Sequence, residues 1–303
     1  MTARISMTFA ILAAGISTIP AFAQSSQKTF DTPEAAAQAL IDAAAANNSA
    51  AMLQIFGPGG KDIVDSGDAA ADKAGRAQFA ELAHQKMKVE VDSDKDRATL
   101  IVGPDDWPMP VPIVMDKGKW HFDTAVGRTE VLARRIGRNE LTSLEVCRAY
   151  VEAQMEYASR DRTATGMLQY AQKILSSPGK KDGLYWEGEP ENLVPKAFAD
   201  ASAAMLAEGK KPEPYQGYYF HILKAQGPDA EGGAMDYVVK GKMIGGFALV
   251  AYPAEYGVSG IQTLIVNHSG KVYEKDLGIA TSTLARQMTR FNPDKTWKLV
   301  TGE

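Results

Sequence analysis

The chain has 303 residues, of which 45% are hydrophobic and 23% are charged, and its formal net charge at pH 7 is −4. This composition is typical of a globular protein. The small, mixed charge argues against a nucleic acid partner, because binding to phosphates requires a concentration of positive charge. Cys147 is the only cysteine, which excludes an intramolecular disulfide and a cysteine-based zinc site.

The first 23 residues have the pattern of a secretory signal peptide. Arg4 provides a positive start, residues 5–19 form an apolar run, and Pro20 precedes the small-residue pattern that ends at Ala23. We predict cleavage after Ala23 and export to the periplasm of a Gram-negative bacterium. No later apolar run approaches the roughly 20 residues of a membrane span, so we predict no span in the mature chain. The mature chain is long enough for two domains.

Residues 28–127 are predicted to form the first domain, in which helices precede strands. Apolar residues at helical spacing predict helices at 33–46, 49–56 and 72–84. The pattern then changes to an alternation, which predicts strands at 87–91, 97–102, 111–115 and 119–123. Helices followed by a small antiparallel sheet indicate an α+β domain.

Residues 139–303 are predicted to form a second α+β domain, and all eleven tyrosines of the chain lie at or after Tyr150. Residues 128–138 are predicted to be a polar, partly helical connecting segment. We predict an amphipathic helix at 139–159, further helical segments at 167–175 and 193–207, and strands at 217–223, 235–239, 246–252, 261–267 and 271–274. The fold class is therefore α+β, with helices packed on a small antiparallel sheet in each of two domains.

Several runs spread over the mature chain carry a family resemblance. They include FDTPEAAAQAL at 30–40, DDWPMPVPIV at 105–114, RIGRNELTSLEVCRAYVEAQMEYASRD at 135–161 and YVVKGKMIGGFALVAYPAEYGVSGIQTLIVNHSGKVYEKDLG at 237–278. Together they resemble a bacterial exported family of uncharacterised proteins, domain of unknown function 2950. This resemblance implies no activity, substrate or catalytic residue.

Two likenesses concern the fold alone. The helices and the strands that end at Trp120-His121-Phe122-Asp123 resemble the ketosteroid-isomerase-like cone, in which a curved sheet wraps a helix and often makes a pocket. The second domain resembles the globular part of type IV pilin-like proteins, with Asn139-Glu140 opening the helix and Ala251-Tyr252-Pro253 in the sheet. It differs from prepilins because no apolar membrane segment precedes the helix. Fold alone does not determine function.

A pocket in the first domain is one candidate site. Isomerase-like chemistry needs a carboxylate base and a polar group that stabilises a developing oxyanion. The candidate pocket residues are Asp106, Trp107, Trp120, His121 and Asp123. The alternative, which we favour, is that Trp120 and Phe122 alternate with His121 on a half-buried strand, and that Asp106 lies in a turn.

Metal and nucleophile patterns are incomplete in the sequence. Asp92, Asp94 and Asp96 imitate the start of a calcium loop, but Arg97 stands where that loop needs glycine. The four histidines lack the spacing of a helical zinc site. Cys147 lies on an apolar helical face and is predicted to be a buried core residue. We predict no metal site and no cofactor.

The aromatic residues of the second domain are the other candidate site. The candidate interaction surface comprises Tyr185, Trp186, Tyr218, Tyr252 and Tyr256, since such rings are enriched at interfaces. Packing inside the domain is the alternative that we favour. The arginines between residues 128 and 138 could contact an anionic partner, although a solvated helix surface is the commoner role.

These observations favour a non-catalytic binding or envelope-accessory protein with an envelope protein or glycan as partner. The alternative is a small-ligand carrier or an enzyme that uses a cavity in the first domain.

Overall fold

The structure is a computed structural model that describes residues 27–206 and 212–301. The predicted signal peptide with its cleavage site after Ala23, the end of the predicted helix at residue 207 and the last two residues of the predicted second domain lie outside the described residues. We call residues 27–123 the first half and the described residues from 159 onward the second half.

In the first half, helices precede an antiparallel sheet. The helices are α1 (Pro33–Ala45), α2 (Ser49–Phe56), α3 (Lys61–Val64) and α4 (Ala69–Gln85). The strands are β1 (Met87–Val91), β2 (Arg97–Val102), β3 (Trp107–Pro108), β4 (Ile113–Asp116) and β5 (Lys119–Phe122). The strand order is β1-β2-β4-β5, and β3 also pairs with β2. The strands predicted at 87–91 and 97–102 and the helix predicted at 49–56 are confirmed within their bounds.

The helices of the first half begin at side chains that accept hydrogen bonds from their first turns. Thr32 accepts from the Ala35 amide at 3.1 Å, Asn48 from the Ala51 amide at 3.0 Å, and Asp68 from the Ala71 amide at 2.9 Å. Such caps satisfy amides that have no partner within the helix. The start of each of these helices is therefore fixed locally by a short polar residue.

One long helix, α5 (Thr124–Ala158), connects the halves. Asp123 accepts from the Val126 amide at 3.1 Å and caps its start. The predicted connecting segment at 128–138 is helical throughout, so the amphipathic helix predicted to begin at 139 begins at Thr124. Val131 packs against the hydrophobic core of the first half, whereas Tyr150 and Tyr157 are buried in the core of the second half.

The second half carries a larger antiparallel sheet and several short strand pairs. Its helices are α6 (Lys196–Leu206) and α7 (Thr281–Arg286). Its strands are β6 (Lys173–Leu175), β7 (Gly183–Tyr185), β8 (Tyr218–Leu223), β9 (Ala225–Gln226), β10 (Met235–Asp236), β11 (Val238–Val239), β12 (Lys242–Met243), β13 (Ala248–Pro253), β14 (Gln262–Asn267), β15 (Val272–Asp276) and β16 (Lys298–Leu299). The main sheet has the order β16-β15-β14-β13-β8, and β6 pairs with β7 in parallel.

The helix predicted at 167–175 is wrong. This segment contains β6, and the backbone before it is held by distant groups instead of by a helical ladder. The Tyr170 amide donates to the Met243 carbonyl at 2.8 Å, and the Ala171 amide donates to the Gln154 Oε1 at 2.8 Å. Tertiary hydrogen bonds thus replace the helical bonds that the apolar spacing favoured.

Two separate hydrophobic clusters hold the described chain together. The first-half cluster contains Phe56 and Phe122, whose rings meet edge to face with centroids 5.3 Å apart. The second-half cluster contains Tyr150 and Phe247, whose ring centroids are 5.6 Å apart.

Mixed helices and small antiparallel sheets confirm the α+β class, and the domain boundaries at 127 and 139 stay predictions. No helix within residues 27–206 and 212–301 is both long and apolar enough to cross a membrane.

Cys147 is fully buried in the second-half cluster, as predicted. Burial raises the pKa of its thiol to about 12, because the apolar surroundings disfavour the thiolate. We expect a thiol-specific chromogenic disulfide reagent at about pH 8 to label Cys147 at least ~10³-fold more slowly in the folded chain than in denaturant. Complete labelling of the folded chain at the denatured rate would contradict this prediction.

Candidate functional site

The five predicted pocket residues do not converge in the structure. Asp106 is exposed in the turn after β2, where its carboxylate pairs with the Lys86 Nζ at 2.6 Å. Asp123 caps α5, so its carboxylate faces the helix start. Trp120 is buried and His121 is half-buried on β5, which agrees with the alternating strand interpretation. Of the five, only Trp107 lines the cavity described next.

A cavity of about 230 Å³ lies between helices α1 to α4 and the first turns of α5. We call it the arginine cavity, because Arg76, Arg134, Arg135 and Arg138 line it. Most of its other lining is apolar, and includes Leu40, Met52, Phe56, Phe79, Met109 and Val131. An apolar lining with a few polar groups is the usual composition of a small-molecule site.

Two of these arginines are fixed by the backbone of α3 and the residues beside it. The buried Arg135 donates to the Asp62 carbonyl and, at 2.7 Å, to the Ile63 carbonyl. Arg76 donates to the Val64 carbonyl at 2.9 Å. The last carbonyls of a helix lack partners within the helix, and cations are stabilised beside them. Within the described residues, backbone carbonyls hold both guanidinium groups in place, and neither group forms an ion pair with a carboxylate.

Burial has an electrostatic consequence at Arg135. Removal from water lowers the pKa of its guanidinium, the negative charge of Asp72 opposes this change, and the positive charge of Arg138 adds to it. Arginine still remains charged near neutral pH. The arginine cavity therefore contains a buried positive charge with room for an anion beside it.

The other two arginines stand at the opening of the cavity. Arg134 is exposed, donates to the Glu130 Oε1 at 2.7 Å and lies over the Trp107 ring at 5.4 Å from its centroid. Arg138 is also exposed and lies one helical turn further along α5. Side chains at i and i+4 share a helix face, so both reach the same opening.

A single carboxylate lines the arginine cavity among the described residues. Asp72 accepts from the Ser66 amide at 2.9 Å and from the Ser66 hydroxyl at 2.7 Å. Four guanidinium groups and one carboxylate thus line the cavity, and Glu130, outside the lining, pairs with Arg134. The electrostatics of the cavity favour an anionic group, and its apolar lining favours a hydrocarbon portion.

The predicted aromatic surface is largely core. Tyr218 and Tyr252 are fully buried and Trp186 is 4% exposed, so these three rings are not available to a partner at the surface. Arg162 and Lys181 lie over the Trp186 ring at 4.9 Å and 5.2 Å from its centroid. This corrects the surface placement in favour of packing inside the second half.

The two remaining rings of that predicted set are half-buried and separate in their contacts. Tyr185 lies beneath the Lys196 ammonium at 6.0 Å, and the Tyr256 hydroxyl donates to the Asp276 carboxylate at 3.2 Å. Hydrogen bonding to Asp276 raises the pKa of Tyr256. Each ring has its own polar partner within the chain.

The calcium-like residues Asp92, Asp94 and Asp96 are exposed around the turn between β1 and β2. In the part of the chain that the structure describes, no group of three or more His, Cys, Asp and Glu residues could hold a metal ion.

The sequence shows the arginines of residues 128–138 but not the cavity that three of them, Arg134, Arg135 and Arg138, line. The available signal was the pair Arg134 and Arg138, which share a helix face beside the apolar Val131. Arg76 gave no such signal, because it reaches the cavity from α4 through its contact with Val64.

The family described as "Protein of unknown function (DUF2950)" matches residues 27–300. No curated protein and no solved structure matches the chain.

Proposed function

We propose that this chain, which belongs to the DUF2950 family of proteins of unknown function, is an exported, non-catalytic binding protein that takes a small amphipathic anion in its arginine cavity. The observation that carries the proposal is the set of four guanidinium groups around an apolar lining. A carboxylate or phosphate group would lie among the guanidinium groups, and a short hydrocarbon portion would replace water along the lining.

The size of the cavity limits the ligand. Its volume of about 230 Å³ is below the ~300–1,000 Å³ of typical drug-sized pockets. A short-chain carboxylate or alkyl phosphate therefore fits the proposal better than a long lipid. Arginine is well suited to such a ligand because its planar guanidinium group donates two parallel hydrogen bonds to carboxylate or phosphate.

The chemistry of the lining supports binding rather than turnover. Its one carboxylate, Asp72, accepts two hydrogen bonds from Ser66. The described lining residues include no histidine, cysteine or lysine that could act as a base or a nucleophile. The guanidinium groups stay protonated, so they position an anion without exchanging protons with it.

The finer fold assignments belong to the same proposal. Helices α1 to α4 beside an antiparallel sheet, with a cavity at their junction with α5, support a ketosteroid-isomerase-like cone in the first half. The packing of α5 against β13, β14 and β15 supports a pilin-like scaffold in the second half. Export to the periplasm is supported by the sequence of residues 1–23, and cell fractionation tests it.

Calorimetric titration of the purified chain tests the ligand class. We expect hexanoate and hexyl phosphate to bind more tightly than hexanol, and hexyltrimethylammonium not to bind. Arg134→Ala and Arg138→Ala are each expected to weaken binding of the anions about tenfold, since a hydrogen bond to a charged group contributes ~1.5–3 kcal/mol. Arg160→Ala, which removes an exposed arginine paired with Glu156 elsewhere, is the matched control.

A second substitution places an apolar side chain in the cavity without altering the charge of its lining. Gly75 lines the cavity on α4, and a Cβ at this position would meet no heavy atom within 4 Å. Gly75→Leu is therefore expected to fold normally and to exclude the anionic probes. Equal affinity of hexanoate for this variant and for the unaltered chain, or no binding of either anion at about 1 mM, would refute the proposal.

A further inference from the structure

We propose that the open edge of β8 binds an extended acidic segment of a partner protein, which adds to the main sheet as a further strand. This interaction lies in the second half and is independent of the arginine cavity. It would give the protein a macromolecular partner in addition to its small ligand.

Among residues 27–206 and 212–301, the backbone of β8 is open on one side. In the sheet order β16-β15-β14-β13-β8, this strand is at the edge, and within those residues it pairs with β13 alone. Tyr218 lies opposite Pro253, which has no amide proton to donate. The backbone groups of Tyr218 instead exchange hydrogen bonds with Tyr215, at 2.8 and 3.1 Å, on the side away from β13.

The amide and carbonyl groups of successive residues point to alternate sides of an antiparallel strand. Because those of Tyr218 point away from β13, those of Phe220 and Ile222 also point away from it. The Lys224 carbonyl agrees with this direction, because it accepts from the Tyr237 amide at 2.9 Å outside the main sheet. Between Tyr218 and Lys224, the edge therefore presents two residues with outward amides and carbonyls.

A cavity of about 490 Å³ opens along this edge, and we call it the β8 cleft. Phe220 and Ile222 project to one face of the sheet, toward α6, where Phe220 packs on Phe198. His221 projects to the other face, yet all three residues line the same cleft. A cavity lined from both faces of an edge strand lies at its edge, where an added strand would be placed.

Residues of β6 also line the β8 cleft. They are Lys173 and Ile174, joined by the preceding Gln172, and α6 contacts both β6 and β8. An extended segment in the cleft would therefore contact both the β8 edge and these residues of β6. A groove of this shape is typical of β-strand addition.

The charge of the β8 cleft favours an acidic occupant. Its described lining residues include Lys173, Lys224 and Arg286, with no carboxylate among them. A neighbouring cavity of about 430 Å³ shares Lys173 and Lys224 and adds Lys240 and Lys242. Among the described lining residues of that cavity, the one carboxylate is Asp182, which accepts from the Lys173 Nζ at 3.0 Å. The positive charge thus continues beyond the end of the strand.

The same charge disfavours a second copy of the chain as the occupant. Two β8 edges brought together would place Lys224 and Arg286 of one copy near those of the other. Lysine at a strand edge is a recognised means of preventing self-association. A partner segment that alternates apolar and acidic residues satisfies both the backbone edge and the charge.

Fluorescence anisotropy with the full chain tests the proposal. The probe is a labelled peptide of alternating glutamate and valine, six residues long, as about six residues form an average strand. We expect it to bind at least tenfold more tightly than the same peptide with lysine in place of glutamate. We also expect methylation of alternate backbone amides, in the set that would face β8, to weaken its binding at least tenfold.

Two pairs of variants locate the binding surface. Ile222→Pro removes an outward amide and is expected to weaken peptide binding at least tenfold, whereas Ile222→Val retains that amide and the affinity. Proline is tolerated at an edge strand where the amide side faces outward.

The second pair tests the charge of the cleft. Lys224→Glu is expected to abolish peptide binding, whereas Lys180→Glu, an exposed control outside the β8 cleft, leaves it unchanged.

Amide exchange on the unaltered chain supplies a readout that does not depend on any variant. Addition of the acidic peptide is expected to protect the Phe220 and Ile222 amides at least tenfold and to leave the Leu299 amide of β16, on the opposite edge, unchanged. Circular dichroism reports on the folding of the variants, and binding of hexanoate reports separately on the arginine cavity. Equal affinity of the methylated peptide, unchanged exchange at Phe220 and Ile222, or no peptide binding at about 1 mM would overturn the proposal.

Discussion

Replacement of Asp68 by alanine is expected to lower the free energy of unfolding by about 2–4 kcal/mol, because this carboxylate has two structural roles. Its Oδ1 accepts from the Ala71 amide at 2.9 Å and caps α4. Its Oδ2 accepts from the Gly217 amide at 2.9 Å, which joins the first half to the second. Asp68 is 2% exposed, so water cannot readily replace either bond.

The two contributions can be separated by variants. Asp68→Asn keeps an oxygen acceptor for the cap but places an amide nitrogen where the carboxylate accepted the second bond, so about half of the loss is expected. Thr32→Ala removes the exposed cap of α1, a hydrogen bond of 3.1 Å, and is expected to cost about 1 kcal/mol. Urea unfolding monitored by circular dichroism measures all three. Equal stability of Asp68→Ala and Thr32→Ala would exclude a contribution from the Gly217 bond.

The elements that sequence reasoning placed well are those whose signals are local. The helix at Ser49–Phe56 lies between the cap at Asn48 and the glycine at Gly57, and both neighbours are visible in the sequence. The strands Met87–Val91 and Arg97–Val102 flank a polar turn. In each case the residues that end the helix or strand lie next to it in the sequence. Local residue propensities and the chemistry of the flanking turns are therefore sufficient to predict these elements.

The elements that sequence reasoning misplaced depend on distant partners. Residues 128–138 are polar because arginines line a cavity there, not because the helix is interrupted. The strand Lys173–Leu175 pairs in parallel with Gly183–Tyr185, and the residues before it bond to Gln154 and Met243. Neither the cavity lining nor the parallel strand pairing produces a periodic pattern in the sequence of its own segment.

The candidate site was misplaced for a related reason. The strand Ala248–Pro253 is buried at every residue, since helices cover both faces of the sheet near it. A strand buried on both sides gives no alternation of apolar and polar residues, so the sequence could not distinguish a surface ring at Tyr252 from a core ring.

The arginine cavity needs Arg76 and Arg135 to converge on the carbonyls around α3, and only the tertiary structure brings them together.

Opposite effects on stability are expected from the same substitution at two glycines of α5. Alanine is favoured over glycine by about 1 kcal/mol within a helix, so Gly137→Ala should raise the free energy of unfolding by ~0.5–1 kcal/mol. Gly137 is exposed, and a Cβ there would meet no heavy atom within 4 Å. At Gly127 a Cβ would lie 2.5 Å from the Cα of the buried Val111. That atom belongs to the backbone, which cannot move aside as a side chain end can.

Gly127→Ala should therefore lower the free energy of unfolding by about 1–3 kcal/mol despite the gain in helix propensity, as overpacked cores do. Urea unfolding of both variants measures the difference, and the denaturant dependence should stay unchanged if the native state keeps its fold. The contact of Gly127 with Val111 holds the start of α5 against the first half, whereas Gly137 makes no comparable contact. Stabilisation by alanine at both positions would show that α5 is free to shift away from Val111, and the arginine cavity would then lack a rigid wall.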